Sequence, residues 1–382
     1  MKKRKGAISK IIALFTILAV VFTGCAANNK DKSNSFTNKS NTDKSVTSSK
    51  ATNNSAIPTK IAGKKLKIMV VRKIGGDDHT AQFLAGTKAE GQSMGIQVDT
   101  FTANGDSTKF HDAINQALSK GYDGFIISHG DDKATVDDIQ KIRAKGIPVV
   151  TFDSITDAAK IDGVTLTSQD DETLALLSLK QLVQDYSGKA NIIYLWVDGF
   201  APMVNRNRIY KLIKEKYTEI KEVERFGVAS ANTAADTQAA VAAMLAKHPK
   251  GTIDAIFAPW DAFAIGAARA LKEAKRTEIK IYGIDVSNAD LQEIQQKDSP
   301  WVATAAVDPK LIGQVDLRIL LKKIAGEKTP KYYDLSAALI NKDRIENAGT
   351  KVNMENLSKI LSGWGQSTAF EEPWMGKLKN NK

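Results

Sequence analysis

Cysteine is almost missing from this chain. Cys25 is the only one in 382 residues, so no intramolecular disulfide can form and the fold must rest on its core, which a chain of this size can supply. Histidine is scarce too, with only His79, His111, His129 and His248. Neither a His-Glu-x-x-His pair nor a Gly-x-Ser-x-Gly elbow occurs, which removes two common hydrolase signatures. Nor is there a Gly-x-x-x-x-Gly-Lys-Ser/Thr loop, so nucleotide chemistry is not expected. The apolar stretch Ile11–Phe22 has twelve positions, short of the roughly 20 that a helix needs to cross a bilayer. The excess of positive charge is local. Of the net +11, residues 1–24 hold five Lys/Arg and no acids and residues 26–60 hold six Lys and two Asp, which leaves +2 for the rest. A high pI of this origin is no argument for nucleic-acid binding.

What is present begins with Met1-Lys-Lys-Arg-Lys5 ahead of the apolar stretch, the charged and hydrophobic regions of a secretory signal over residues 1–24. Phe22-Thr-Gly-Cys25 resembles a bacterial lipobox, with Phe22 where leucine is usual. It implies lipid attachment at Cys25 and a place on the outer face of the cell membrane. An ordinary secreted protein with an incidental cysteine, or an anchor that is never removed, are the other readings. Residues 26–60 are mostly Asn, Ser, Thr, Lys and Ala, with little to bury, and read as a disordered tether.

From Leu66 onward short β-branched runs alternate with amphipathic stretches, the pattern of a parallel sheet flanked by helices. Strands are expected at Leu66–Val71, Gln97–Phe101, Gly124–Ser128, Pro148–Phe152, Asn191–Trp196, Ala255–Ala258 and Lys280–Gly283. Helices are expected between them, several stopping at Gly95, Gly121, Gly146 or Gly188 where a C-cap belongs. About 320 residues exceed one such core, so an α/β fold of two lobes follows. Ligands of open parallel sheets bind beyond the strand C-termini, and function must be read there.

Those ends carry Ile74-Gly-Gly-Asp-Asp-His79, then Ser128-His129-Gly-Asp-Asp, then Gly146-Ile-Pro-Val-Val-Thr-Phe-Asp-Ser154. Asn205-Arg-Asn-Arg208 follows, then Asp261-Ala-Phe-Ala-Ile-Gly-Ala-Ala-Arg-Ala-Leu271 and Tyr282-Gly-Ile-Asp-Val286. In this order the chain resembles the type I periplasmic sugar-binding proteins, the ribose and galactose binders that feed ABC importers, over residues 65–340. The resemblance implies two similar lobes, each a parallel sheet flanked by helices, joined by three crossing segments near Asp153, Asp285 and Tyr333–Leu335. Lobe 1 is then 61–153 plus 286–332, and lobe 2 is 154–285 plus 333–382. It further implies a monomer that closes on a sugar or similar polyhydroxylated ligand and docks on a membrane permease, with no catalysis, cofactor or metal.

Sugar recognition needs planar apolar faces and groups that pair with adjacent hydroxyls. At the matching positions Asp153 and Asp285 are the carboxylates, Arg208 is the guanidinium, Asp77 and His79 come from the first loop, and Ser128 and Ser154 lie at strand ends. Arg206 is the less certain neighbour of Arg208, and Asp78 serves as a helix cap. Trp260 stands where the family often has a hydrogen-bonding residue and reads as a stacking platform or as lobe packing. At the strand after Trp301, either Val307 leaves an apolar wall or Asp308 supplies a polar group.

A receptor lipoprotein for an autoinducer, nucleoside or polyol would use nearly the same residues. An exported hydrolase could use Asp153 and Asp285 as acid and base, or the Asp-Asp-His79 and His129-Gly-Asp-Asp132 groups as metal ligands. His111 and His248 fall on helices as exposed or capping residues. A regulator of transcription with these lobes would begin with a helix-turn-helix. Trp364, Phe370 and Trp374 make residues 343–382 too aromatic for a loose tail, and they are expected to pack on lobe 2.

Overall fold

Each of the first three strands is followed within five residues by an aspartate that caps the next helix, and this repeat sets the architecture. The structure, a computed structural model, describes residues 56–230 and 232–380; the expected signal, Cys25 and most of the expected tether lie outside them. β1 (Lys67–Arg72), β2 (Gln97–Thr102), β3 (Gly124–Ser128), β4 (Val149–Phe152) and β5 (Val164–Gln169) alternate with α1 (Asp78–Ser93), α2 (Ser107–Ala117) and α3 (Lys133–Ala144). Asp77, Asp106 and Asp132 each accept a hydrogen bond from a backbone N–H of the first turn, which satisfies a donor that the helix cannot. β3 and β4 are buried along their whole length, as expected where helices cover both faces of a parallel sheet.

The second half repeats the design. α4 (Asp171–Asp185), β6 (Ala190–Leu195), α5 (Ala201–Lys216), β7 (Ile220–Phe226), α6 (Thr233–Lys247), β8 (Ala255–Ala258), α7 (Asp261–Glu273), β9 (Lys280–Ile284), α8 (Asn288–Ile294) and β10 (Trp301–Ala306) build it. Then come α9 (Pro309–Ala325), β11 (Tyr332–Leu335), β12 (Ala338–Asn341), α10 (Lys342–Glu346) and α11 (Pro373–Asn380). Two six-stranded sheets result, in the orders β11-β5-β4-β3-β1-β2 and β12-β10-β9-β8-β6-β7. All pairs are parallel except β10 with β12. No helix among the described residues is long and apolar enough to cross a membrane.

The lobe boundaries differ from those expected. The chain does not leave lobe 1 at Asp153, because β5 still pairs with β4 and β11. Nor does it leave lobe 2 at Asp285, because β10 pairs with β9. It crosses instead at 169–171, 306–309 and 335–338. α9 returns to lobe 1 and lies directly on α1, where a Cβ on Gly313 would collide with the carbonyl of Phe83.

The aromatic C-terminal stretch divides as well. Ile345, Val352, Leu357 and Trp364 join the core of lobe 2, as expected for the first part. The remainder returns to lobe 1. Arg318 on α9 donates to the Ser367 carbonyl at 2.7 Å, Trp374 Nε1 donates to Glu327 at 2.8 Å, Lys322 pairs with Glu372, and the ring of Phe370 meets that of Tyr333 edge-on. A fourth crossing at 364–367 follows. The last residues assigned to the tether are also packed, since Ile57 lies against the core and the Pro58 carbonyl accepts from Ile61 and Ala62.

Candidate ligand-binding site

The C-terminal ends of both sheets face one cleft. Three residues just past strand ends, His129, Asp153 and Asp285, have φ of 61°, 46° and 77°, a region that side chains with a Cβ seldom occupy. Such strain persists where the surroundings hold it and gathers at functional sites. All three line the cleft.

Arg206 organises the floor. It is 2% exposed. Its Nε donates to Asp171 at 2.9 Å, Nη1 to the Pro259 carbonyl at 2.7 Å and to Asp285 Oδ2 at 3.1 Å, and Nη2 to Asp285 Oδ1 at 3.3 Å. The Gln169 amide completes the group, its nitrogen 3.2 Å from Asp285 Oδ1 and its oxygen 3.2 Å from Arg206 Nη2. Burial would lower the pKa of Arg206, but Asp285, Asp171 and Asp153 outweigh it and the net shift is upward. The guanidinium stays charged, and a buried charge with its hydrogen-bonding positions met is tolerable.

Arg72, at the end of β1, has the matching place in lobe 1. It donates through Nε to Thr80 at 3.0 Å, through Nη1 to Ser128 at 2.9 Å and through Nη2 to His79 Nδ1 at 3.4 Å, with its plane 5.0 Å from the ring of Phe83. Because Nδ1 of His79 accepts, the ring proton sits on Nε2. Ser128 Oγ, accepting from Arg72, also lies 2.8 Å from His129 Nδ1, and His129 Nε2 is 3.9 Å from Asp153 Oδ2. Burial lowers the pKa of both histidines, His129 strongly, which keeps them neutral. Burial also raises Asp153 well above the carboxylate range, reinforced by Asp171 and opposed by Arg206 and Arg72. Among the described residues, His79 Nε2 and Asp153 Oδ2 are buried with no hydrogen-bond partner.

Of the residues expected at the site, Asp77, His79, Asp153, Trp260 and Asp285 line the cleft. Asp77 also caps α1 through Thr80 N at 2.6 Å. Three do not. Arg208 points away from the cleft, its side chain 64% exposed and 3.6 Å from Glu172, because two positions along a helix turn about 200°; Arg206 has the inward place. Ser128 is fully buried behind Arg72 and His129. Ser154 turns back to the carbonyls of Phe152 and Ile127. Val307 and Asp308 lie at a lobe crossing and not in the cleft lining, Asp308 capping α9. His111 bridges Asp132 and Asp138, and His248 ends α6 against Glu224.

The sequence reading missed Arg72, His129, Gln169 and Asp261, together with an apolar group made by Phe200, Pro202 and Met203 at the start of α5. Asp78 does not cap α1, a role that Asp77 takes. Asp78 Oδ2 accepts from the backbone N–H of Asn288 at 2.8 Å, which joins the N-terminus of α1 in lobe 1 to that of α8 in lobe 2 across the cleft mouth.

A family model described as a periplasmic binding protein domain matches residues 68–328. The chain belongs to that family. Among the periplasmic binding proteins similar to it is a ribose import binding protein of Bacillus subtilis (strain 168), 25% identical over 249 residues, which are 64% of this chain and 77% of the relative. A solved structure of a sugar ABC transporter from Yersinia enterocolitica subsp. enterocolitica 8081 is 47% identical, with a TM-score of 0.81 over 85% of this chain and 98% of that one. A 5-methylthioribose transporter solute binding protein from Thermotoga lettingae TMO, solved with 5-methylthioribose, is 33% identical, with a TM-score of 0.78 over 83% and 99%. These relatives are binding and transport proteins, and their two-sheet fold is the one described above.

Proposed function

We propose that this protein is the solute-binding component of an ABC importer, and that it takes an uncharged sugar or polyol between its lobes and presents the closed form to a membrane permease. The observation that carries this is the pair of unpartnered polar atoms in the cleft, His79 Nε2 and Asp153 Oδ2. A hydroxyl group both donates and accepts, and can satisfy either atom. Leaving such atoms buried and unpaired is costly, so a hydroxylated guest stabilises the closed arrangement. Ligand contacts from Asp77, His79 and Asp153 on one lobe and from Trp260 and Asp285 on the other are made together only when the lobes are closed, which is what a ligand must do to shift that equilibrium.

The Phe22-Thr-Gly-Cys25 sequence supports attachment to the outer face of the membrane through a lipid on Cys25. In this reading the protein acts as a monomer. Mass spectrometry of the mature N-terminus, beside a Cys25→Ser variant, checks the attachment. The main test is calorimetry and thermal unfolding of the full chain against pentoses, hexoses and polyols. One saturating class, with binding lost in Asp153→Ala and Trp260→Ala, is the expected result. Binding by none of them, or binding that both variants leave unchanged, refutes it.

A further inference from the structure

The cleft is chemically lopsided. Its polar groups gather on lobe 1 and on the floor, whereas the rim of lobe 2 is built from Phe200, Pro202 and Met203 at the start of α5 and from Trp260 just before α7. Met203 is part of the lobe 2 core, and Phe200 and Trp260 pack against that core, so these side chains continue its apolar surface into the cleft. Pro202 has no N–H to offer, and the Met203 carbonyl is already taken by Trp196 Nε1 at 2.9 Å. A hydroxyl placed here would lose water and find few partners.

The charges point the same way. Both guanidiniums that line the cleft are engaged, Arg206 by Asp171, Asp285 and the Pro259 carbonyl, and Arg72 by Thr80, Ser128 and His79. A phosphate or carboxylate on the ligand would find each nitrogen of both groups already donating and would meet the carboxylates of Asp77 and Asp285. Like charges brought together in a dry site repel strongly.

We infer that the ligand is an uncharged sugar or polyol carrying a compact apolar substituent at one end. Its hydroxyls lie toward His79 and Asp153, and its substituent lies against Phe200, Met203 and Trp260. This rests on the sugar-binding reading and narrows it, excluding sugar phosphates and sugar acids.

Matched ligands test the inference by calorimetry on the full chain. The probes are ribose, 5-methylthioribose and ribose 5-phosphate, with glucose, methyl glucoside and glucose 6-phosphate as the hexose set. In the set that binds, the substituted sugar is expected to bind about tenfold or more tightly than its parent, the scale on which apolar pockets discriminate by a methylene or two, and the phosphate is expected not to bind. Phe200→Ser should weaken the substituted sugar more than its parent and so reduce that preference to about threefold or less, whereas Arg208→Ala, which lies outside the cleft, should leave both affinities unchanged. Met203→Gln, nearer in shape, provides a second variant if the first folds poorly. Parent and substituted sugars binding equally, or a phosphate binding as well as its parent, would overturn the inference and leave the sugar-binding reading standing. Loss of all ligands alike in two folded variants would also overturn it, since a general structural role predicts that result. No binding from either set or from the wider sugar panel ends both readings.

Discussion

The guanidinium of Arg206 and the carboxylate of Asp285 meet edge to edge, Nη1 to Oδ2 at 3.1 Å and Nη2 to Oδ1 at 3.3 Å. The fork geometry fixes both groups in plane. Asp285 is at once a cleft residue and a residue in left-handed backbone, so this contact holds a strained strand end in the position a ligand would meet.

Arg206→Ala leaves Asp171 and Asp285 buried without their partner. It should destabilise the protein by about 3–5 kcal/mol and abolish ligand binding, as read by urea unfolding and calorimetry. Arg208→Ala, two residues away, should change neither measurable quantity, since surface pairs contribute about 0–1 kcal/mol. Equal losses in the two variants would show that the inward residue has been misidentified.

Removing the Asp78 carboxylate separates closure from ligand contact. In Asp78→Ala the hydrogen bond to Asn288 N is lost, while His79 and Asp153 keep their places. A net loss of about 0.5–1.5 kcal/mol for one hydrogen bond predicts ligand affinity weaker by roughly two- to tenfold, together with a larger radius of gyration by X-ray scattering. Unchanged scattering would rule out a role in closure.

The carboxyl of Asp316 is wholly buried in lobe 1 and accepts or donates one hydrogen bond with Thr167 Oγ1 at 2.7 Å. Thr167 also donates to the Thr151 carbonyl at 3.1 Å, so a proton on Asp316 suits the arrangement best. Burial raises the pKa of Asp316 to about 8. In the unfolded chain it ionises near pH 4, so the native state binds the extra proton between about pH 4 and 8 and stability falls as pH rises through that window. Asp316→Asn should flatten this part of the profile in thermal unfolding scans from pH 4 to 8. An unaltered slope would mean that Asp316 is ionised in the fold.

Trp374 is 2% exposed against lobe 1. Trp374→Ala should cost about 3–5 kcal/mol in denaturant unfolding. A loss below about 1 kcal/mol would mean that the C-terminal return is not docked in solution.

Much of the cleft was legible because a parallel sheet presents its ligands at strand ends, and Asp77, His79, Asp153, Trp260 and Asp285 all follow short apolar runs. What was misread traces to angle and face. Arg206 and Arg208 share one short motif, and only the i, i+3 alignment of Met203 with Arg206, and the buried Tyr210 beyond, tells the inner residue from the outer. Arg72 was passed over because the expected strand stopped at Val71, and an arginine at its edge suggests solvent. Ser128 and Ser154 occupy strand ends but turn toward neighbouring backbone and side chains, a choice of rotamer that sequence does not reveal. β5, Val-Thr-Leu-Thr-Ser-Gln169, lacks the aliphatic density of its neighbours, and without it the first lobe boundary falls early at Asp153; the second falls early at Asp285 because β10 was not counted with lobe 2.

The path of the chain has one mechanical outcome. Ile57 and Ile61 lie at one end of the described residues, and α11 lies at the other with Lys379 against Glu90 of α1; both ends rest on lobe 1. Lobe 2 is thus built from two detours of a chain whose described ends both lie on lobe 1. A pull on either end of the described residues acts on lobe 1 first, and lobe 2 follows through its connections, among them the link at Gly365 and Gln366, a turn closed by the Gln366 N–H on the Gly363 carbonyl at 3.2 Å.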